Sequence, residues 1–232
     1  MSTSVDAAGA TMISLIGSLA DNKSALGRRY GEWAVSAPTI ESAVAAAAMA
    51  QDELGHARAT YPVLAKLGVT RDDEGLAAGR PLHAIEHELP DWASFVAANL
   101  VVDGILTTFV ASARDSSIEP LAQRARKILQ EEGAHKLHAE AWSRRFARAG
   151  GDDLELLLQR IEQMWAQAAR WPGPDEHPGY QEAIERGMVS EGPAAVRRRV
   201  RDWLTELLRS ERVELALEEP GDWSGWDEEE RR

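Results

Sequence analysis

Apolar positions along this chain step by three and four, and alternation of period two is nearly absent, so helices are expected throughout. The first stripe is Met12, Ile16, Leu19, Lys23, Leu26, Tyr30 and Trp33. It predicts a helix from about Ala8 to Ala34 with one lysine at a core-type position. Pro38 pushes Ala37 toward an extended conformation, and Thr39 is placed to cap a second helix from about Ile40 to Leu67, closed by Gly68. The seam of that helix reads Ala46, Met49, Glu53, His56, Thr60, Val63 and Leu67, with two ionisable residues where apolar ones belong. The connection from Val69 to Pro90 is long for a bundle turn and should cross the bundle or carry short helical turns.

A third helix is expected from about Asp91 to Arg114, with Trp92, Val96, Asn99, Asp103, Leu106 and Val110 at seam spacing. After the turn Asp115-Ser116-Ser117, Pro120 suits the first turn of a fourth helix, from about Ile118 to Ala149. Its seam holds Leu121, Ala125, Ile128, Glu132, His135, Ala139, Trp142 and Phe146, and Gly150-Gly151 ends it. A fifth helix (about Asp153 to Trp171), a short one (Tyr180 to Arg186) and a sixth (about Pro193 to Arg212) follow. The fold class read from this pattern is all-α: one domain over residues 1–232, with a core four-helix bundle over about 8–149 and additional C-terminal helices over about 153–212. The tail 213–232 is acidic and contains Trp223 and Trp226, and it is expected to dock on its own chain or on a partner.

Two Glu-x-x-His units, Glu53 to His56 and Glu132 to His135, put a carboxylate and an imidazole one turn apart on one helix side. An antiparallel hairpin pairs residues equidistant from its turn. The first hairpin therefore sets Lys23 opposite Glu53, and the second sets Asp103 opposite Glu132. Around one bundle axis, Lys23, Glu53, His56, Asp103, Glu132 and His135 share a layer. That many buried charges need compensation, either from carboxylate-bridged metal or from a network of ion pairs. Glu32 lies too near the turn to complete the layer, and Asp52, Glu131 and His138 point off the seam as supporting or surface groups.

Composition narrows the chemistry. The chain has no cysteine, which excludes disulfides, iron–sulfur clusters and thiolate zinc sites and fits a cytoplasmic location. A formal charge of −12 argues against nucleic acid as a partner. No apolar run reads as a membrane span, and the start lacks the pattern of a signal peptide. His83 and His87 read as surface residues, and Arg197, Arg198, Arg199 and Arg201 as a solvated face that could otherwise meet an anion or an acidic partner.

Gly-Glu-Trp with Ala-Pro-Thr, then Gln-Asp-Glu-Leu-Gly-His-Ala-Arg, Val-Asp-Gly and Glu-Glu-Gly-Ala-His, in this order and spacing, resemble the phenylacetic acid catabolic protein family. These are ferritin-like subunits of bacterial phenylacetyl-CoA epoxidase, and the resemblance covers roughly residues 12 to 170. It implies a ferritin-like bundle and one of two subunit types. The catalytic type holds a di-iron centre that activates O2 to epoxidise the ring of an aromatic acyl-CoA. The structural type has lost ligands and supports the catalytic one. By resemblance Glu53, His56, Asp103, Glu132 and His135 match metal-ligand positions of the catalytic type, with iron the expected metal and manganese an alternative. Lys23 stands where that type has a glutamate, and Asp21-Asn22 and Gly31-Glu32-Trp33 look closer to the structural type. Two readings stay open: a metal-binding oxygenase subunit, or a metal-free subunit neutralised by Lys23 that binds a ferritin-like partner, either a homologous subunit or a second copy.

Overall fold

A computed structural model describes residues 6–69 and 80–232. Regular structure among them is entirely helical. Helix α1, Ala7–Trp33, begins at Asp6, whose carboxylate accepts from Gly9 N–H at 2.8 Å. Helix α2, Ile40–Lys66, begins at Thr39, as expected, with its hydroxyl accepting from Ser42 N–H at 3.2 Å. Among the described residues the connection carries one short helix, α3 (His83–Glu86); residues 70–79 lie outside the described residues.

Helix α4 runs Trp92–Ser112. Its 21 residues are long and apolar enough to cross a membrane, which corrects the expectation that no segment would pass that test. Protein covers 83% of its most apolar window, the position of a bundle's core helix. Helix α5, Glu119–Ala149, returns beside it with Pro120 in its first turn. Gly150 and Gly151, both at positive φ (67° and 53°), reverse the chain straight into α6, Gly151–Ala168. Helices α7, Pro178–Glu185, and α8, Pro193–Ser210, complete the described set.

The α1–α2 and α4–α5 hairpins form an all-α ferritin-like bundle, with α2 also against α5. Helix α6 covers α4, α7 covers α1, and α8 packs on α4 and α5. The segment after α8 docks on its own chain, as its tryptophans suggested. Trp226 Nε1 donates to the Arg170 carbonyl at 3.1 Å, and Trp165 Nε1 to the Glu218 carbonyl at 2.7 Å. Arg197 departs from the solvated-face expectation. It is buried and donates to Glu219 at 2.8 Å and to the Gly173 carbonyl at 2.9 Å, so the acidic partner it meets is this chain's own tail. Arg198 and Arg199 remain exposed.

Candidate functional site

The two Glu-x-x-His units meet. Trp142 Nε1 donates to Ser42 Oγ at 3.0 Å and His56 Nδ1 lies 3.3 Å from Glu132 Oε1, which fixes α2 and α5 antiparallel with their units level. Lys23 reaches the same layer from α1 and is fully buried beside Glu53, as mirror register requires. Asp103 reaches it from α4. The helix is locally widened there: Ala98–Asp103 forms a π-helical turn, a feature the periodicity did not reveal. Asp103 is the last residue of that turn, and Thr107 Oγ1 donates to it at 3.3 Å. Glu32 stays outside, paired with Arg29 at 3.1 Å.

Lys23 Nζ stands at the centre. It donates to Glu53 Oε1 at 3.0 Å, Asp103 Oδ1 at 2.5 Å and Glu132 Oε1 at 2.5 Å. His135 Nδ1 lies 3.3 Å from Glu53 Oε1 and 3.4 Å from Asp103 Oδ2. Behind the two imidazoles stand the residues that precede the glutamates in sequence. Glu131 Oε2 is 2.9 Å from His56 Nε2, and Asp52 Oδ2 is 3.3 Å from His135 Nε2. Each helix thus braces the other helix's histidine. The signal was present as Asp-Glu and Glu-Glu doublets, although these first acids project off the seam. His138 packs edge-on against Trp92 and Phe95, and neither of its ring nitrogens has a hydrogen-bond partner among the described residues.

Electrostatics follow the geometry. Burial alone would strip the proton from Lys23, but Asp103, Glu132 and Glu53 outweigh it and hold the ammonium well above its ordinary range. His56 and His135 behave alike: burial opposes their charge, yet the carboxylates raise them to about 9 and about 12. Burial would also raise Glu132, but Lys23 and the histidines hold it well below the usual carboxylate range. Asp103 absorbs the strain of the cluster. Burial and the neighbouring Glu132 and Glu53 push it up to about 6. At neutral pH, the Glu53, Asp103 and Glu132 carboxylates balance one ammonium and two imidazolium groups.

Ligand atoms of Glu53, Asp103, Glu132 and His135 lie within 4.8 Å of one another, a spacing that could hold a metal ion. His56 falls outside that group of four. A two-metal centre in such a bundle takes a carboxylate from each of two helices in addition to the two Glu-x-x-His units. Here one of those helices supplies Lys23, with its charged nitrogen among the three carboxylate oxygens. The donor set present does not fit a di-metal centre while that ammonium is in place.

Beside this layer opens a cleft of about 550 Å³ between α4, α5 and α8, with Asp103 and Glu132 at its floor and Lys136, Arg199 and Trp203 among its lining. A family model described as phenylacetic acid catabolic protein matches residues 1–232. Among curated proteins, one of the subunits of the 1,2-phenylacetyl-CoA epoxidase of Escherichia coli (strain K12) is 26% identical over 164 residues. That alignment covers 68% of this chain and 66% of the relative, slightly under two thirds of the relative's length. With a family match from end to end and the duplicated Glu-x-x-His layer assembled in the bundle, the chain belongs to the phenylacetic acid catabolic protein family.

Proposed function

We propose that this chain is a structural, metal-free subunit of a phenylacetyl-CoA epoxidase-type assembly, supporting a catalytic ferritin-like partner that acts on an aromatic acyl-CoA. One observation carries the reading: Lys23 Nζ lies within 3.0 Å of Glu53, Asp103 and Glu132 in the layer where a catalytic relative would need a further carboxylate. The ammonium takes over the charge compensation that metal supplies in a catalytic bundle. His56 and His135, as imidazolium ions, complete it. The residues of the layer then hold four helices together at a fixed register and keep water out of the bundle centre. The family match and the likeness to an epoxidase subunit support the assembly in which such a scaffold would serve.

A specific observation favours a second reading, in which the layer holds an ion. Glu53 Oε2 and His56 Nδ1 are buried 3.9 Å apart, and neither makes a well-aligned hydrogen bond among the described residues, although His56 Nδ1 keeps its 3.3 Å ion contact with Glu132; four donors already lie within 4.8 Å. An ion there requires Lys23 to leave the layer. Elemental analysis of protein purified from iron-supplemented cells separates the two. The scaffold reading expects well under one equivalent of iron or manganese, and a higher content in Lys23→Glu. Near-stoichiometric metal in the unmodified chain would overturn it.

A further inference from the structure

Two of the helices that line the cleft beside the charged layer each contribute a glycine to it. Gly133 lies mid-helix in α5, where glycine weakens a helix relative to alanine. No close approach requires it, because a Cβ there would meet nothing within 4 Å. What the missing side chain preserves is the open space of the cleft. Gly104, in α4, has the opposite use. A Cβ on it would stand 3.3 Å from the Trp203 ring and 3.5 Å from Val200, so its absence lets α8 lay the indole close against the α4 backbone. The result is a slot of about 550 Å³ with Trp203 and Leu129 among its walls. Clefts of about 300–1,000 Å³ hold small molecules.

We infer that this slot binds a small monocarboxylate with an apolar body, an aryl or short alkyl acid whose carboxylate meets Lys136 Nζ and whose body lies along Trp203. Charge selects the class. At the floor, Asp103 and Glu132 each lie 2.5 Å from Lys23 Nζ, so their charge is already matched and draws no cation. At the rim, Arg199 is matched by Glu191 at 2.8 Å, and Asp202 by Arg201 at 3.8 Å. Lys136 is the cation left over. Its ion contact is Glu140 at 4.0 Å, and Glu140 already accepts from Trp203 Nε1 at 2.9 Å and from Arg144 at 3.3 Å.

Position joins the two features. Lys136 Nζ sits 4.7 Å over the Trp203 ring, so the spare ammonium adjoins the apolar wall. A ligand that spans both needs one anionic head and a neutral body. A neutral alcohol of the same shape would leave the ammonium without a charged partner. An amine would set like charges together. A dicarboxylate would push a second charge into the slot without a counterion, at a desolvation cost. The inference uses the Lys23 contacts at the floor and adds a ligand that the scaffold role does not require.

The indole N–H resonance of Trp203, assigned by its loss in Trp203→Phe, reads the site in the isotopically labelled full chain. Benzoate and hexanoate should each shift it saturably, with a Kd of about 1 mM or tighter, and less tightly as salt rises. Benzyl alcohol and benzylamine should bind at least about fivefold more weakly. Lys136→Gln should weaken benzoate by a similar factor. Arg124→Gln, which removes an exposed charge of α5 outside the cleft, should leave it unchanged. Gly133→Leu sends a side chain into the slot and should abolish binding, with circular dichroism unchanged and a urea midpoint no lower than the parent's. No saturable shift, an alcohol as tight as the acid, or benzoate bound by Lys136→Gln or Gly133→Leu as by the parent overturns the inference. An Arg124→Gln effect as large as that of Lys136→Gln also overturns it, since general charge attraction would then explain the binding. None of these outcomes changes the metal content on which the scaffold reading turns.

Discussion

Lys23 Nζ lies 2.5 Å from Glu132 Oε1, an ion pair between buried side chains 109 positions apart in sequence. Because the same nitrogen also binds Glu53 and Asp103, one cation ties α1 to α2, α4 and α5. Replacing Lys23 with methionine keeps most of the volume and removes the charge. Breaking a buried ionic network by deleting one partner typically costs about 3–5 kcal/mol. Urea unfolding should show a loss of that order. A loss under about 1 kcal/mol would mean that the histidines alone neutralise the layer.

The pH dependence has a definite sign. His56 and His135 have folded pKa values near 9 and 12 against 6.5 as the ordinary value. Between pH 6.5 and 9 the folded chain therefore binds more protons than the unfolded chain, and stability falls as pH rises. Below pH 6.5 this contribution is fully present. Asp103, raised from 3.8 to about 6, acts in the same direction in its own lower window. Glu132 and Glu53, held low, act in the opposite direction and lose their contribution only when pH drops through their folded values. A tenfold change in proton affinity is worth about 1.4 kcal/mol, so the drop from pH 6.5 to 9 should be at least about 2 kcal/mol. Urea midpoints at the two pH values measure it. His56→Gln should flatten the slope, and an unchanged slope would assign the effect elsewhere.

Much of this layer is legible from spacing. Helix rise is constant and the turns at Pro38 and Ser117 are short, so counting outward from them puts Lys23 opposite Glu53 and Asp103 opposite Glu132, where they are found. The π-helical turn is not legible in that way. Every residue of Ala98–Asp103 is buried, Asn99 and Asp103 included, and a helix segment buried on all sides offers no solvent-exposed polar face to fix its phase. The bracing acids Asp52 and Glu131 project off the seam by their Cα positions, yet their side chains curl back to histidines of the neighbouring helix. Seam projection follows backbone direction, so it marks them as supporting or surface groups without showing which histidine each one reaches. Arg197 escaped for a different reason: its acceptors include the Gly173 carbonyl and Glu219, on segments whose approach no helical period encodes.

The segment after α8 should prove structural, with Arg231 as its anchor. This side chain is buried and donates to the carbonyls of Trp171 and Pro172, each at 2.7 Å, and to Ser14 Oγ at 3.0 Å. Its backbone sits at φ 52°, a left-handed conformation unfavourable for a residue with a Cβ, and those three contacts must offset that strain. Arg231→Ala leaves two buried carbonyls without donors, at about 1–3 kcal/mol each. The expected loss is about 2–6 kcal/mol in urea unfolding, with faster protease cleavage between residues 213 and 230. Arg231→Lys should recover only part of it, because an ammonium lacks the planar fork that reaches both carbonyls at once. Equal stability of the alanine and parent chains, with equal protease resistance, would show the segment to be merely resting on the bundle.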